Sequence, residues 1–107
     1  MTRDKSDGKY YLCFDLNSAA ELNDGQIMST AMVIYHEMGH ASAISKDEAS
    51  YDKRVAATDN QYGNAEEKNN ITTIENPKAK ELGEPIRQDH SMKQYIPVDD
   101  VTYHKTH

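Results

Sequence analysis

"VIYHEMGHAS", residues 33–42, is the stretch on which the reading of this chain turns. His36 and His40 stand four apart, so on an α-helix their side chains leave one face and can reach the same ion. Glu37 between them can sit beside a metal without binding it, placed to take a proton from water whose pKa the metal has lowered. This His-Glu-x-x-His string is the metallohydrolase pattern, but it also arises by chance, and both histidines are then plain helix surface. Local features favour the site. The preceding "AMVIY" is apolar, as a buried helix requires. Gly39 costs about 1 kcal/mol against Ala inside a helix, which makes sense where a side chain would obstruct a close contact. Ala41, after the second histidine, is again small.

Working outward, Ser29 or Thr30 can N-cap this helix, and the pattern carries it to about Ser45. Val33, His36, Glu37, His40, Ala41 and Ile44 follow the spacing of one helical face. Upstream, "KYYLCFDL" (9–16) reads as a strand, Cys13 included, and "NSAAELNDGQ" (17–26) as a loop with Asp24-Gly25 as its turn. Residues 45–64 are polar with weak periodicity, which predicts loop or short helical pieces. A second helix begins near Asn64, with Glu67, Asn70, Ile71 and Ile74 on one stripe. Pro77 interrupts it or opens the next segment with Asn76 as N-cap, and "PKAKELG" (77–83) is a short helix closed by Gly83. The rest is extended or irregular chain. Residues 1–8 and 98–107 are expected to be flexible.

A catalytic zinc needs a third protein ligand and an open position. His90, His104, His107 and several carboxylates lie downstream. Glu67 is the best placed, because a carboxylate inside an apolar stripe is costly unless paired or metal-bound. Glu66, about 100° around the helix, is the second choice, and both together also read as a solvated face. His104 and His107 fall in the tail "TYHKTH" and are read as loose ends.

The totals allow one domain, 1–107, with a lean core: no Trp, one Phe, seven Tyr and a mean hydropathy of −0.90. Stabilisation by a metal would suit such a chain. A net charge of −6, with Lys53-Arg54 the only adjacent basic pair, argues against a nucleic-acid binder. No apolar run approaches the roughly 20 residues of a membrane span. The N-terminus lacks the apolar segment of a signal peptide, so export would need another route or a longer parent chain. With one Cys, neither an internal disulfide nor a cysteine zinc cage can form.

"AMVIYHEMGHA" (31–41) followed by "AEEKNNITTIENPKAKELGEPIR" (65–87) resembles the zincin metallopeptidase toxins of bacterial secretion systems. These include NleD-like effectors and the metallopeptidase domains at the C-termini of type VI spike (VgrG) and Rhs proteins, with clostridial neurotoxin light chains more distant in layout. The resemblance runs from about Lys9 to His90. It implies an α+β fold: a small zincin-like core with an active-site helix, a second ligand-bearing helix and a short sheet. It implies a gluzincin-type zinc site of His36, His40 and Glu67, with Glu37 as general base. After "GEP" such proteins commonly carry Arg and, three residues on, an aromatic hydroxyl. Arg87 matches, whereas His90 stands where Tyr is usual, and Tyr95 is the other candidate for stabilising an oxyanion. The resemblance further implies delivery by a secretion machine, a cognate immunity protein, and a polypeptide or peptidoglycan-peptide substrate. The alternative is a zinc-binding or interaction domain without turnover.

Overall fold

The helix expected around the two histidines is α1, Thr30–Lys46, in the computed structural model of the protein. Of the two N-cap candidates, Ser29 takes the position: its Oγ accepts from the Met32 N–H at 3.1 Å. The Ser29 N–H and hydroxyl in turn donate to the buried Glu84 carboxylate at 2.9 and 2.6 Å. A carboxylate there also complements the positive end of the helix dipole. The buried stripe of α1 is Met32, His36, His40 and Ile44, one residue per turn. Two of its four members are therefore histidines that burial must satisfy.

The structure describes residues 15–107 in full, and of residues 1–14 only the backbone of two short strands. These are β1, Thr2–Asp4, and β2, Lys9–Tyr11, paired antiparallel. Part of the strand expected over 9–16 is thus present, and residues 12–14, Cys13 among them, lie outside the described residues. The loop expected over 17–26 is corrected. Ser18–Glu21 forms β3, the centre of an antiparallel sheet flanked by β4, Ile27–Met28, and β7, Gln94–Pro97. Ala19 and Ala20 have little strand preference of their own; partners far along the chain, Ile96 and Tyr95, fix them in the sheet. The Asp24-Gly25 turn is as expected, with Gly25 at φ 87° and Leu22 and Gln26 joined at 2.8 Å.

After α1 comes α2, Glu48–Ala56, capped by Asp47, whose side chain accepts from the Ser50 N–H. A small hairpin, β5 Thr58–Asp59 and β6 Gly63–Asn64, leads into α3, Ala65–Asn70, with Asn64 as its N-cap. From Ile71 to Glu75 the backbone is a π-helix, then α4 runs over Asn76–Leu82 and stops at Gly83, φ 72°. The Thr72 and Thr73 hydroxyls bond back to the Lys68 and Asn69 carbonyls at 2.6 Å, which eases the wider turn. The π turn changes which residues face inward. Ile74, expected on the stripe with Glu67, is 37% exposed, whereas Glu75 is fully buried. Asn76 is not an N-cap; its amide clamps the backbone of Arg87 on both sides, at 2.8 and 3.0 Å.

Sheet and helices close on a small apolar core of Ala20, Leu22, Met28, Met32 and Ala79, with Val33, Tyr35 and Met92 packed against it. The segment expected to be a loose tail returns to the sheet. Ile27 and Lys105 exchange backbone hydrogen bonds, and the Ala31 N–H at the start of α1 donates to the Val101 carbonyl at 2.9 Å. Backbone pairing of this kind leaves no mark on composition. Among the described residues, no helix is long and apolar enough to cross a membrane.

Candidate metal centre

α1 and α3 face each other across His36, His40 and Glu67. His36 Nε2 and His40 Nε2 are 3.1 Å apart, and the Glu67 carboxylate oxygens lie 3.1 Å from the first and 2.7 Å from the second. The three ligand atoms all fall within 4.8 Å of one another. Ligands of a tetrahedral zinc at bonds of 2.0–2.1 Å sit about 3.3 Å apart, a separation between the shortest of these contacts and the 4.8 Å bound, so the group could hold a metal ion. One further detail fits. Glu67 Oε2 is buried, with His36 Nε2 at 3.1 Å and His90 Nε2 at 2.9 Å, yet it makes no aligned hydrogen bond. Converging donor atoms without aligned protons between them are what a shared cation needs. Two imidazoles and a carboxylate suit zinc and other divalent first-row ions.

Each histidine is held at its far nitrogen by a buried carboxylate. His36 Nδ1 lies 2.8 Å from Glu75 and His40 Nδ1 2.7 Å from Glu66. Each carboxylate is anchored by an arginine: Arg87 Nε to Glu75 at 2.7 Å, with a second, very short contact through Nη2, and Arg54 Nε to Glu66 at 2.8 Å. With Nδ1–H given to a carboxylate, Nε2 of each ring is directed at the centre. The Glu66 expected as second-choice ligand or solvated surface is neither; it is 1% exposed and orients His40.

Without an ion the cluster holds protons. Burial by itself lowers the His36 pKa, but Glu67 and Glu75 at its two nitrogens outweigh this and raise it to about 9. His40 is raised in the same way, burial being overcome by Glu67 and Glu66. Burial would raise the carboxyls of Glu67 and Glu75. Glu67 is instead held far below the usual carboxylate range by His36, His40 and His90, and Glu75 is lowered by His36 and Arg87.

Glu37 faces a cleft of about 230 Å³, lined also by His36, Arg87, His90 and Tyr95, with Ala20, Met28, Val33 and Met92 as apolar wall. The proposed base and the oxyanion candidates therefore share one opening beside the ligand triangle. His90 stacks on His36, ring centroids 5.3 Å apart at 16°. Arg87 is 6% exposed and its guanidinium is engaged with Glu75. His104 and His107 lie elsewhere, the first 3.9 Å from Glu84 and the second bonded to the Asp24 carbonyl.

Two contributors escaped the sequence reading, Glu75 and Arg54, and a third, Asn70, was placed on the inward stripe without a role. Asn70 is buried and its amide donates to the His36 carbonyl at 2.9 Å, with its Oδ1 against Gly39. Gly39 was the signal that could have found it, since a helical glycine facing inward asks which side chain needs the space. Glu75 had no such signal. At the α-helical period it would lie about 80° from Glu67, and only the π turn brings both carboxylates onto His36. Compared with protein-family models, curated proteins and solved structures, the chain matches none. The centre must therefore be read from its own chemistry: a buried His36-His40-Glu67 group that could hold a metal ion, beside an open cleft.

Proposed function

We propose that this domain is a zinc-dependent peptidase of the gluzincin type, with zinc held by His36, His40 and Glu67. The observation that carries the reading is the placement of Glu37. A purely structural metal has no use for a carboxylate in an open cleft next to its ligands, whereas hydrolysis needs a base there. Bound zinc would supply Lewis acidity towards a carbonyl oxygen and a water molecule. Glu37 takes the proton of the attacking water and passes it to the leaving amine. His90, which lines the cleft, donates to the oxygen on which charge develops, with Tyr95, also lining it, the second donor. Arg87 acts through Glu75, keeping the His36 ring in place.

The motifs over residues 31–41 and 65–87 support a role as a bacterial effector or toxin domain, delivered into a target cell by a secretion machine and matched by an immunity protein. The test is zinc content and hydrolysis of a mixed peptide pool by wild type, Glu67→Ala and Glu37→Gln. About one zinc per wild-type chain, lost in Glu67→Ala and retained without turnover in Glu37→Gln, is the expected pattern. Zinc retained in Glu67→Ala would move the third ligand. Zinc without hydrolysis in the wild type would leave a binding domain.

A further inference from the structure

Three imidazoles, not two, close on Glu67. His36 Nε2 and His40 Nε2 lie 3.1 and 2.7 Å from its carboxylate oxygens, and His90 Nε2 lies 2.9 Å from Oε2, the oxygen it shares with His36. That oxygen is buried without an aligned hydrogen bond, so the third nitrogen approaches it and does not satisfy it. The backbone that carries His90 is pinned on both sides. The Arg87 N–H and carbonyl bond to the Asn76 amide, and the Lys93 N–H donates to the Glu21 carbonyl at 2.8 Å. The His90 side chain, by contrast, is 45% exposed, against 5% and 6% for His36 and His40. The ligand atoms within 4.8 Å of one another are those of His36, His40 and Glu67. His90 stands just outside this group, its ring stacked on His36 at 5.3 Å, and a turn of its side chain is the movement that would bring it in. Neutral imidazole is the commonest metal ligand, and ordering one side chain costs little where the backbone is already fixed.

Resting on the zinc-peptidase reading, we propose that His90 is a fourth, displaceable ligand of the metal held by His36, His40 and Glu67. It fills the position that a catalytic zinc otherwise leaves to water and substrate, so the site stays closed until something enters the cleft. His90 and Glu37 line that cleft together. A substrate carbonyl or a small anion competes with the ring for its place. The displaced ring remains in the cleft, where it donates to the oxygen on which charge develops. Cleavage is thereby tied to substrate entry, and the apparent affinity for weak ligands falls by the fraction of sites that are open.

The test counts histidines at the metal and does not depend on turnover. The full chain is loaded with zinc for X-ray absorption and with cobalt for visible absorption. Zinc bound to the wild type is expected to show three imidazoles. Zinc bound to His90→Phe, which keeps a ring beside His36 but no donor atom, is expected to show two. Chelator competition should find zinc held at least about tenfold more weakly by this variant, since even an orienting partner is worth that much. Free imidazole titrated into cobalt-loaded His90→Gly should restore the wild-type spectrum, while the wild type does not respond; a structural role for His90 would give no such rescue. Two imidazoles per zinc in the wild type, or the same imidazole response in wild type and His90→Gly, would overturn the fourth ligand and leave the peptidase reading intact. Three imidazoles in a wild type that cuts no peptide would keep the fourth ligand and remove the peptidase reading. A wild type that takes up neither metal would end both.

Discussion

Replacing Gly39 by Ala sets helix propensity against tertiary packing, and the structure decides the sign. Propensity alone favours Ala by about 1 kcal/mol inside a helix. A Cβ on Gly39, however, would lie 2.0 Å from Asn70 Oδ1 and 3.0 Å from its Cγ. Asn70 is 1% exposed and cannot swing into solvent without opening the contact between α1 and α3. Overpacking costs about 1–3 kcal/mol. If the amide yields instead, the bond to the His36 carbonyl at 2.9 Å is lost and a buried polar group is stranded, which costs a similar about 1–3 kcal/mol. The two costs are alternatives more than a sum. Subtracting the propensity gain leaves about 0–2 kcal/mol, and the 2.0 Å approach puts Gly39→Ala in the upper half of that range, an expected loss of about 1–2 kcal/mol or roughly 4–10 °C in Tm for a chain of this size. The assay is urea and thermal unfolding of the metal-free protein, repeated in an Asn70→Ala background. There the obstruction is gone, and Gly39→Ala should become neutral or favourable, the double-mutant cycle isolating the contact. A neutral or stabilising Gly39→Ala in the wild-type background would refute the close packing of Asn70 on α1.

Other expectations follow from the same geometry. Because His36 titrates near pH 9 without metal, an ion must displace its proton below that pH. Metal affinity, measured by chelator competition, should therefore rise about tenfold per pH unit for each proton released between about pH 6 and 8; an affinity that ignores pH would count against the ligand set. The folded-state pKa of His36 lies above its ordinary 6.5, so its pairing with Glu67 and Glu75 stabilises the metal-free fold fully below that value. This stabilisation fades as pH rises through about 9, visible as a falling Tm on the alkaline side. Glu75→Gln should keep the ligands but weaken metal binding by about 10–100-fold, since the amide orients His36 less firmly; unchanged affinity would reduce Glu75 to a structural role. Arg87→Ala leaves Glu75 as a buried charge with its cation removed, and should cost about 3–5 kcal/mol in urea unfolding.

What could be read directly were the features whose physics is local. Ser29 and Asn64 are side-chain caps acting within three residues, Gly83 ends a helix by its positive φ, and Asp24-Gly25 makes its turn within five. The spacing of His36 and His40 needs only a helix to bring two imidazoles together. Glu67 could be singled out because a carboxylate on an inward stripe demands a partner, and that partner proves to be the histidine pair.

The remainder depended on contacts that one segment cannot encode by itself. Ser18–Glu21 is a strand because β4 and β7 supply its hydrogen bonds, not because alanines favour extension. Glu66 looked like surface beside Lys68, and its burial against His40 and Arg54 requires α2 and α3 to meet on α1. The sequence by itself determined the helix and the ion-reaching pair, and narrowed the cap to Ser29 or Thr30, because spacing along a regular backbone sets direction. Only the tertiary structure decided which carboxylates orient the ligands and where the cleft opens. A π turn rotates everything after it by an amount the α-helical period does not contain, and side chains from distant segments meet only once that rotation is in place.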